Sequence, residues 1–161
     1  MSRFVADQLT GPLVERLSLD RALSFADRAI VICTIDEHGW PHPAMLSSLE
    51  VVARDARNVR VATDVSSRTT RNLKANRKLS LILADEDAVY YIKGDVLLLA
   101  PSLQTSPRLA KFNLRVDSVL QDFAQEYEDA RILTGIRIER ARIDPELAGT
   151  ILRELVADES A

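Results

Sequence analysis

Five runs rich in β-branched and other apolar residues follow one another between Ala29 and Leu99, and most segments between them are too short for a crossover helix. Ala29–Ile35 (AIVICTI) is the first, and Asp36-Glu37-His38-Gly39 follows as a turn whose glycine can take positive φ. The chain is extended again from Pro41 through Val52, which makes a hairpin. Asn58–Ala62, Leu79–Leu83 and Ala88–Leu99 continue the series, with Gly94 as the site of a bulge or bend. Strands at this spacing pair antiparallel and close into a barrel or a strongly curled sheet, not a parallel βαβ sheet.

The flanking segments carry other periods. Residues 1–28 hold Leu13, Val14, Leu17, Leu23 and Phe25 at helical spacing, which predicts one or two short helices before the barrel of residues 29–100. Ser106-Pro107 with Leu109, Phe112, Val116, Val119 or Leu120, and Phe123 predicts a packing helix over 106–128. Residues 131–143 alternate apolar with charged positions, as a last strand with one wet face does. Asp144-Pro145-Glu146 then caps a C-terminal helix over 144–158, bearing Leu147, Ile151, Leu152 and Leu155. A length of 161 residues without a linker or repeat matches one domain.

Composition excludes several functions. Lys plus Arg total 21 against 24 Asp plus Glu, a net charge of −3, so no basic excess tracks a nucleic-acid backbone and no nucleic-acid partner is expected. Cys33, the single cysteine, lies in an apolar run and reads as a buried structural thiol without disulfide or thiolate metal chemistry. No uncharged stretch is long enough to span a bilayer, so no membrane partner is expected, and a reducing cytoplasm is the expected compartment. Five glycines without GxGxxG or GxxxxGK[ST] argue against Rossmann and P-loop nucleotide sites. His38 and His42 flank Gly39-Trp40-Pro41 with no third ligand at a diagnostic spacing; they read as turn and strand-edge histidines, and no metal is expected. Asp85-Glu86-Asp87 reads as solvated charge at a hairpin tip. No side chain is identified as catalytic.

One stretch carries binding chemistry. Thr63-Asp64-Val65-Ser66-Ser67-Arg68-Thr69-Thr70-Arg71 joins a strand to the start of a helix, with Ser66 or Ser67 as N-cap. Unpaired amides, hydroxyls and guanidinium groups then meet in one volume, which suits a phosphate gripped by Arg68. The alternative is an ordinary capped surface helix with solvated arginines.

Taken in order, Ala29–Ile35, Asp36-Glu37-His38-Gly39-Trp40-Pro41-His42, the Ser-Arg helix, Asn72-Leu73-Lys74-Ala75-Asn76-Arg77-Lys78-Leu79-Ser80-Leu81 and Lys93-Gly94 resemble the pyridoxamine 5'-phosphate oxidase-like family of FMN-binding split barrels. The resemblance implies a mainly β fold with flanking helices, a six-stranded antiparallel Greek-key split β-barrel, forming a homodimer that holds FMN at the subunit interface. It implies that Ala62, Thr63, Ser67, Arg68 and Thr69 lie on the phosphate side, and that Met45, Leu46 and Ser47 lie alongside the flavin. In the family a Lys often stands at Thr69, and the true oxidases carry an Arg and a Lys on the strand where this chain has Met45 through Ser48. Fewer cations surround the phosphate here, and the acidic end after Asp144 disfavours oxidation of pyridoxamine phosphate. The implied function is an FMN-dependent oxidoreductase acting on a small-molecule substrate. A non-catalytic flavin or haem protein on the same fold, and a deazaflavin-dependent reductase, are the alternatives.

Overall fold

A computed structural model describes residues 2–85, 88–124, 129–139 and 143–158. Among them eight strands form one antiparallel sheet: β1 (Arg3–Ala6), β2 (Ala29–Ile35), β3 (Pro41–Ser47), β4 (Val51–Ala53), β5 (Asn58–Asp64), β6 (Lys78–Asp85), β7 (Ala88–Ala100) and β8 (Leu109–Asp122). Their order is β3-β2-β6-β7-β8-β5-β4, and β1 pairs with the end of the β8 edge that β5 leaves open. β3 and β4 end the sheet and are joined through residues 48–50, but they are not hydrogen-bonded to each other. The curled sheet is therefore a barrel split along one side, with eight strands where six are expected.

Strand alternation sorts side chains into two faces. Ile30 and Ile32 of β2, Leu81 and Leu83 of β6, Ile92 of β7, and Phe112, Leu114 and Val116 of β8 meet in one core. Each such fully buried side chain contributes about 1.5–3 kcal/mol. Gly94 sits at a register shift between β7 and β8, and a Cβ there would lie 1.9 Å from the Arg115 carbonyl oxygen. The expected bulge is present, and its glycine is required by the close approach of the neighbouring strand.

Two short helices, α1 (Gly11–Arg16) and α2 (Leu19–Ala22), precede β2, as expected. Arg16 stacks on Phe25 with its guanidinium carbon 3.6 Å from the ring centre, and it pairs with Asp85 at 2.8 Å. Asp85 is thus held in an ion pair instead of being merely solvated, while Glu86 and Asp87 lie outside the described residues. Between β5 and β6 runs α3 (Arg68–Asn76), and α4 (Pro145–Val156) follows an Asp144 cap whose carboxylate accepts from the Glu146 and Leu147 amides. Among the described residues no helix is long and apolar enough to cross a membrane.

Three expectations are corrected. Residues 109–122 are a strand, not a packing helix: Ala110, Phe112, Leu114 and Val116 are buried at every second position, and a helical reading shares only Phe112 and Val116 with that set. Ser106-Pro107 forms a turn closed by the Leu109 amide on the Ser106 carbonyl. Residues 131–139 make no strand beyond a single bridge between Arg28 and Arg137; Ile136 stays exposed and Ile138 is only half-buried, so the alternation after Gly135 fills no core, and 140–142 lie outside the described residues. Cys33 is half-buried, because β2 turns it outward between the inward-facing Ile32 and Thr34.

Candidate functional site

The start of α3 is built by its own hydroxyls. Ser67 is the N-cap, and its Oγ accepts from the Thr70 amide at 3.1 Å. Ser66 is instead spent on Asp64, whose carboxylate takes the Ser66 hydroxyl and amide and is held by them below the ordinary aspartate range. The amides of Arg68 and Thr69, in the first turn, have no intrahelical partner, and no acid stands in that turn. The positive end of the helix dipole is therefore unopposed from within the helix.

The same helix is locked to the barrel by side chains on its inner face. Thr63 and Thr70 share a hydrogen bond of 2.5 Å, and the Thr70 hydroxyl also donates to the Asp64 carbonyl at 2.7 Å. Asn72 Nδ2 donates to Thr34 Oγ1 at 3.0 Å, and Asn76 Nδ2 to the Ile35 carbonyl at 2.7 Å. Leu73 enters the barrel core. Each buried polar atom is thereby satisfied, and the orientation of the exposed face is fixed.

That exposed face meets the β2–β3 turn across a cleft of about 210 Å³, lined by Arg68, Arg71 and Asn72 on one side and Asp36, Glu37, His38 and His42 on the other. Neither guanidinium has an ion-pair partner among the described residues. Asp36 is turned to local work: amides of Trp40 and His38 bind its carboxylate at 2.8 and 2.9 Å and hold it below the ordinary range. The turn closes on Gly39 at a φ of 81°. His38 stands 3.6 Å from Glu37 in solvent, and His42 is half-buried on β3. The cleft thus sets the guanidinium groups of Arg68 and Arg71, without ion-pair partners among the described residues, across from the carboxylates of Asp36 and Glu37 and two imidazoles, and its α3 side can take an anion.

The expected site residues divide among several places. Arg68 lines the cleft, with Ser67 as the cap beside it. Thr69 is buried, and the hydroxyl of Thr63 is closed on Thr70. The Ala62 side chain lies on the opposite face of β5 from Thr63, clustered with Leu152 and Leu155 beneath α4. β3 carries Met45, 62% exposed on the outer face opposite Val31, and Leu46 inside the core. Ser47 ends that strand, with its hydroxyl donating to Glu50 at 2.9 Å. Ser48, next to it, buries a hydroxyl that has no hydrogen-bond partner. His42, on β3, joins Arg68 only through folding. The spacing of Arg68 and Arg71 by three residues is the signal that placed both on one helix face.

A pyridoxamine 5'-phosphate oxidase family model matches residues 20–143. A Bacillus subtilis (strain 168) protein, the uncharacterized YclD, is 32% identical over 111 residues, 69% of this chain and 70% of its own length. In structure the chain is similar to a provisionally assigned pyridoxamine 5'-phosphate oxidase from Lactobacillus delbrueckii, with a TM-score of 0.58 at 16% identity, covering 74% of this chain and 98% of that one. It is also similar to HutZ, a haem storage protein of Vibrio cholerae, with a TM-score of 0.50 at 12% identity, over 72% and 97% of the two chains. At these identities the structural likeness is one of fold.

Proposed function

Because the chain belongs to the pyridoxamine 5'-phosphate oxidase family, we propose that it is a homodimeric FMN-binding oxidoreductase acting on a small organic molecule. The observation that carries this reading is the pair Arg68 and Arg71, both without ion-pair partners, beside the unpaired first amides of α3. A phosphate monoester satisfies these donors together, with two guanidinium groups and two amides converging on one dianion. The residues present fit the group at its other end as well. The buried Ser48 hydroxyl lacks a partner, which costs about 1–3 kcal/mol, and a polar ligand edge along β3 would offset that cost.

Within this reading each part of the chain has a binding task. Arg68 and Arg71 hold the phosphate, Ser67 keeps the helix start in shape, and Met45, Leu46 and Ser47 border the flavin through their strand. The outer face of β2 and β3, with Val31, Cys33, Pro43 and Met45, meets a second copy of the chain. When bound, FMN supplies the redox chemistry, and the protein binds it, orients it and excludes water.

Absorption and titration test the proposal. Purified protein should show flavin bands near about 370 and 450 nm. A Soret band in their place would instead favour a haem protein, and absorbance without flavin fluorescence a deazaflavin enzyme. Arg68→Ala should weaken FMN binding by about 1.5–3 kcal/mol, the scale of a charge-assisted hydrogen bond, in a fluorescence-quenching titration. Unchanged affinity would remove Arg68 from the site.

A further inference from the structure

The titratable groups on the strand side of the α3 cleft are not equivalent. The Asp36 carboxylate is taken by the Trp40 and His38 amides, and Glu37 lies in solvent beside His38, which is itself 74% exposed. His42 stands apart from that turn. It is half-buried on β3 and precedes Ala44 and Leu46 at alternate positions. Leu46 enters the barrel core and Ala44 packs against it, so His42 shares their inner face.

The backbone at His42 is tied to the helix across the cleft. Thr34, its partner on β2, donates its hydroxyl to the His42 carbonyl at 3.4 Å and accepts from Asn72 Nδ2 at 3.0 Å. One chain of hydrogen bonds thus runs from β3 to the helix that carries Arg68 and Arg71. The imidazole has no hydrogen bond or ion pair among the described residues. Its charge nevertheless reaches the turn. The Trp40 amide chiefly, with the His38 amide and the charges of His38 and His42, holds the Asp36 carboxyl below its ordinary range against the cost of desolvation. The charged groups facing His42 are therefore Arg68 and Arg71 from α3, and Asp36, Glu37 and His38 from the β2–β3 turn.

Arg68 and Arg71 grip a dianion from one wall only, and a tetrahedral anion turns its remaining oxygens toward β3. We propose that His42 is the third cation of the phosphate site, donating from β3 to an oxygen of the anion that the two arginines hold from α3. This assignment rests on the reading that Arg68 and Arg71 bind the FMN phosphate. Imidazole changes charge between about pH 5 and 8, so the grip on the anion tightens as His42 gains its proton and loosens as it is lost.

The test titrates inorganic sulfate calorimetrically into the full chain at about pH 5.5 and about pH 8. Sulfate stays a dianion throughout, whereas a phosphate monoester gains a proton near about pH 6 and would mask the imidazole. Sulfate affinity should fall at least about fivefold between the two conditions, the scale of one charge near a protein surface. His42→Asn should bind as the wild type does at the higher pH and change less than about twofold across the range, while His42→Lys should keep tight binding at both. His38→Asn should retain the wild-type dependence. A wild-type profile in His42→Asn, a His42→Lys protein that still loosens sulfate at the higher pH, or a chain that takes up no sulfate at either would overturn the proposal. FMN titrations at the higher pH, where an imidazole is neutral, report on the arginines separately. FMN binding that Arg68→Ala weakens, together with a wild-type sulfate profile in His42→Asn, would remove His42 and keep the flavin reading. FMN affinity indifferent to Arg68→Ala would remove the flavin reading, and a sulfate profile that still depends on His42 would then keep His42 as an anion ligand.

Discussion

Ser66 and Ser67 are chemically alike and adjacent, yet the fold gives them different work. Ser67 Oγ caps the Thr70 amide, whereas the Ser66 hydroxyl bonds an aspartate at the surface. Ser67→Ala should therefore lower stability by about 1 kcal/mol, the usual value of a helix cap, while Ser66→Ala should stay within about 0.5 kcal/mol; urea unfolding midpoints separate the two. From sequence either serine qualified as the cap, because both precede the same helical run. The choice depends on which hydroxyl Asp64 captures. Thr63 makes the same point, since its type suits a phosphate ligand but its hydroxyl is closed on Thr70.

At the scale of elements, β7, β8 and α4 carry the consequences. Gly94→Ala would drive a methyl group into the Arg115 carbonyl of β8, so it should destabilise by about 1–3 kcal/mol or more in chemical unfolding, unlike an ordinary glycine replacement in a strand. The C-terminal end of α4 is docked by Lys111, which donates to the carbonyls of Glu154 and Ala157 at 3.0 and 2.7 Å. In return Glu154 accepts from the Gln104 and Thr105 amides. Burial pushes the Glu154 pKa up, but hydrogen bonds from Thr105 and Gln104 and the Lys111 charge outweigh it, so the carboxyl titrates below its ordinary value. A folded pKa below the unfolded one means that the ionised form favours the fold. Its contribution is complete above the unfolded glutamate pKa and is lost as pH falls through the lower folded value. Thermal unfolding between about pH 6 and pH 3 should show a steeper loss for the wild-type chain than for Glu154→Gln. β8 itself was the element least legible in sequence. Phe112 and Val116 fit both a helical and an alternating period, and Leu114 and Arg115 between them gave no turn signal to decide it.

For the whole molecule, the proposed dimer places a second chain on the outer face of β2 and β3. Sedimentation should find a particle of two chains, and Val31→Glu, opposite Met45 on that face, should give monomers whose FMN affinity falls at least about tenfold. A monomeric wild-type chain that binds FMN tightly would contradict the shared site. The barrel between Ala29 and Ala100 and the Asp144-capped helix were readable in advance, because alternation, capping and turn chemistry are local and each residue states its own preference. The amino-acid order by itself located most of those strands, although the run expected from Pro41 through Val52 is divided by the fold into β3 and β4, together with the bulge at Gly94 and the placing of Ser67, Arg68 and Arg71 at one helix start. Only the tertiary structure decided that His42 lines one cleft with Arg68, that β8 is a strand, and that Glu50 and Asp144 line one cleft with Leu49 and Leu147. These pairings join residues far apart in the chain, and their geometry follows from how the sheet curls and where α3 and α4 come to rest on it.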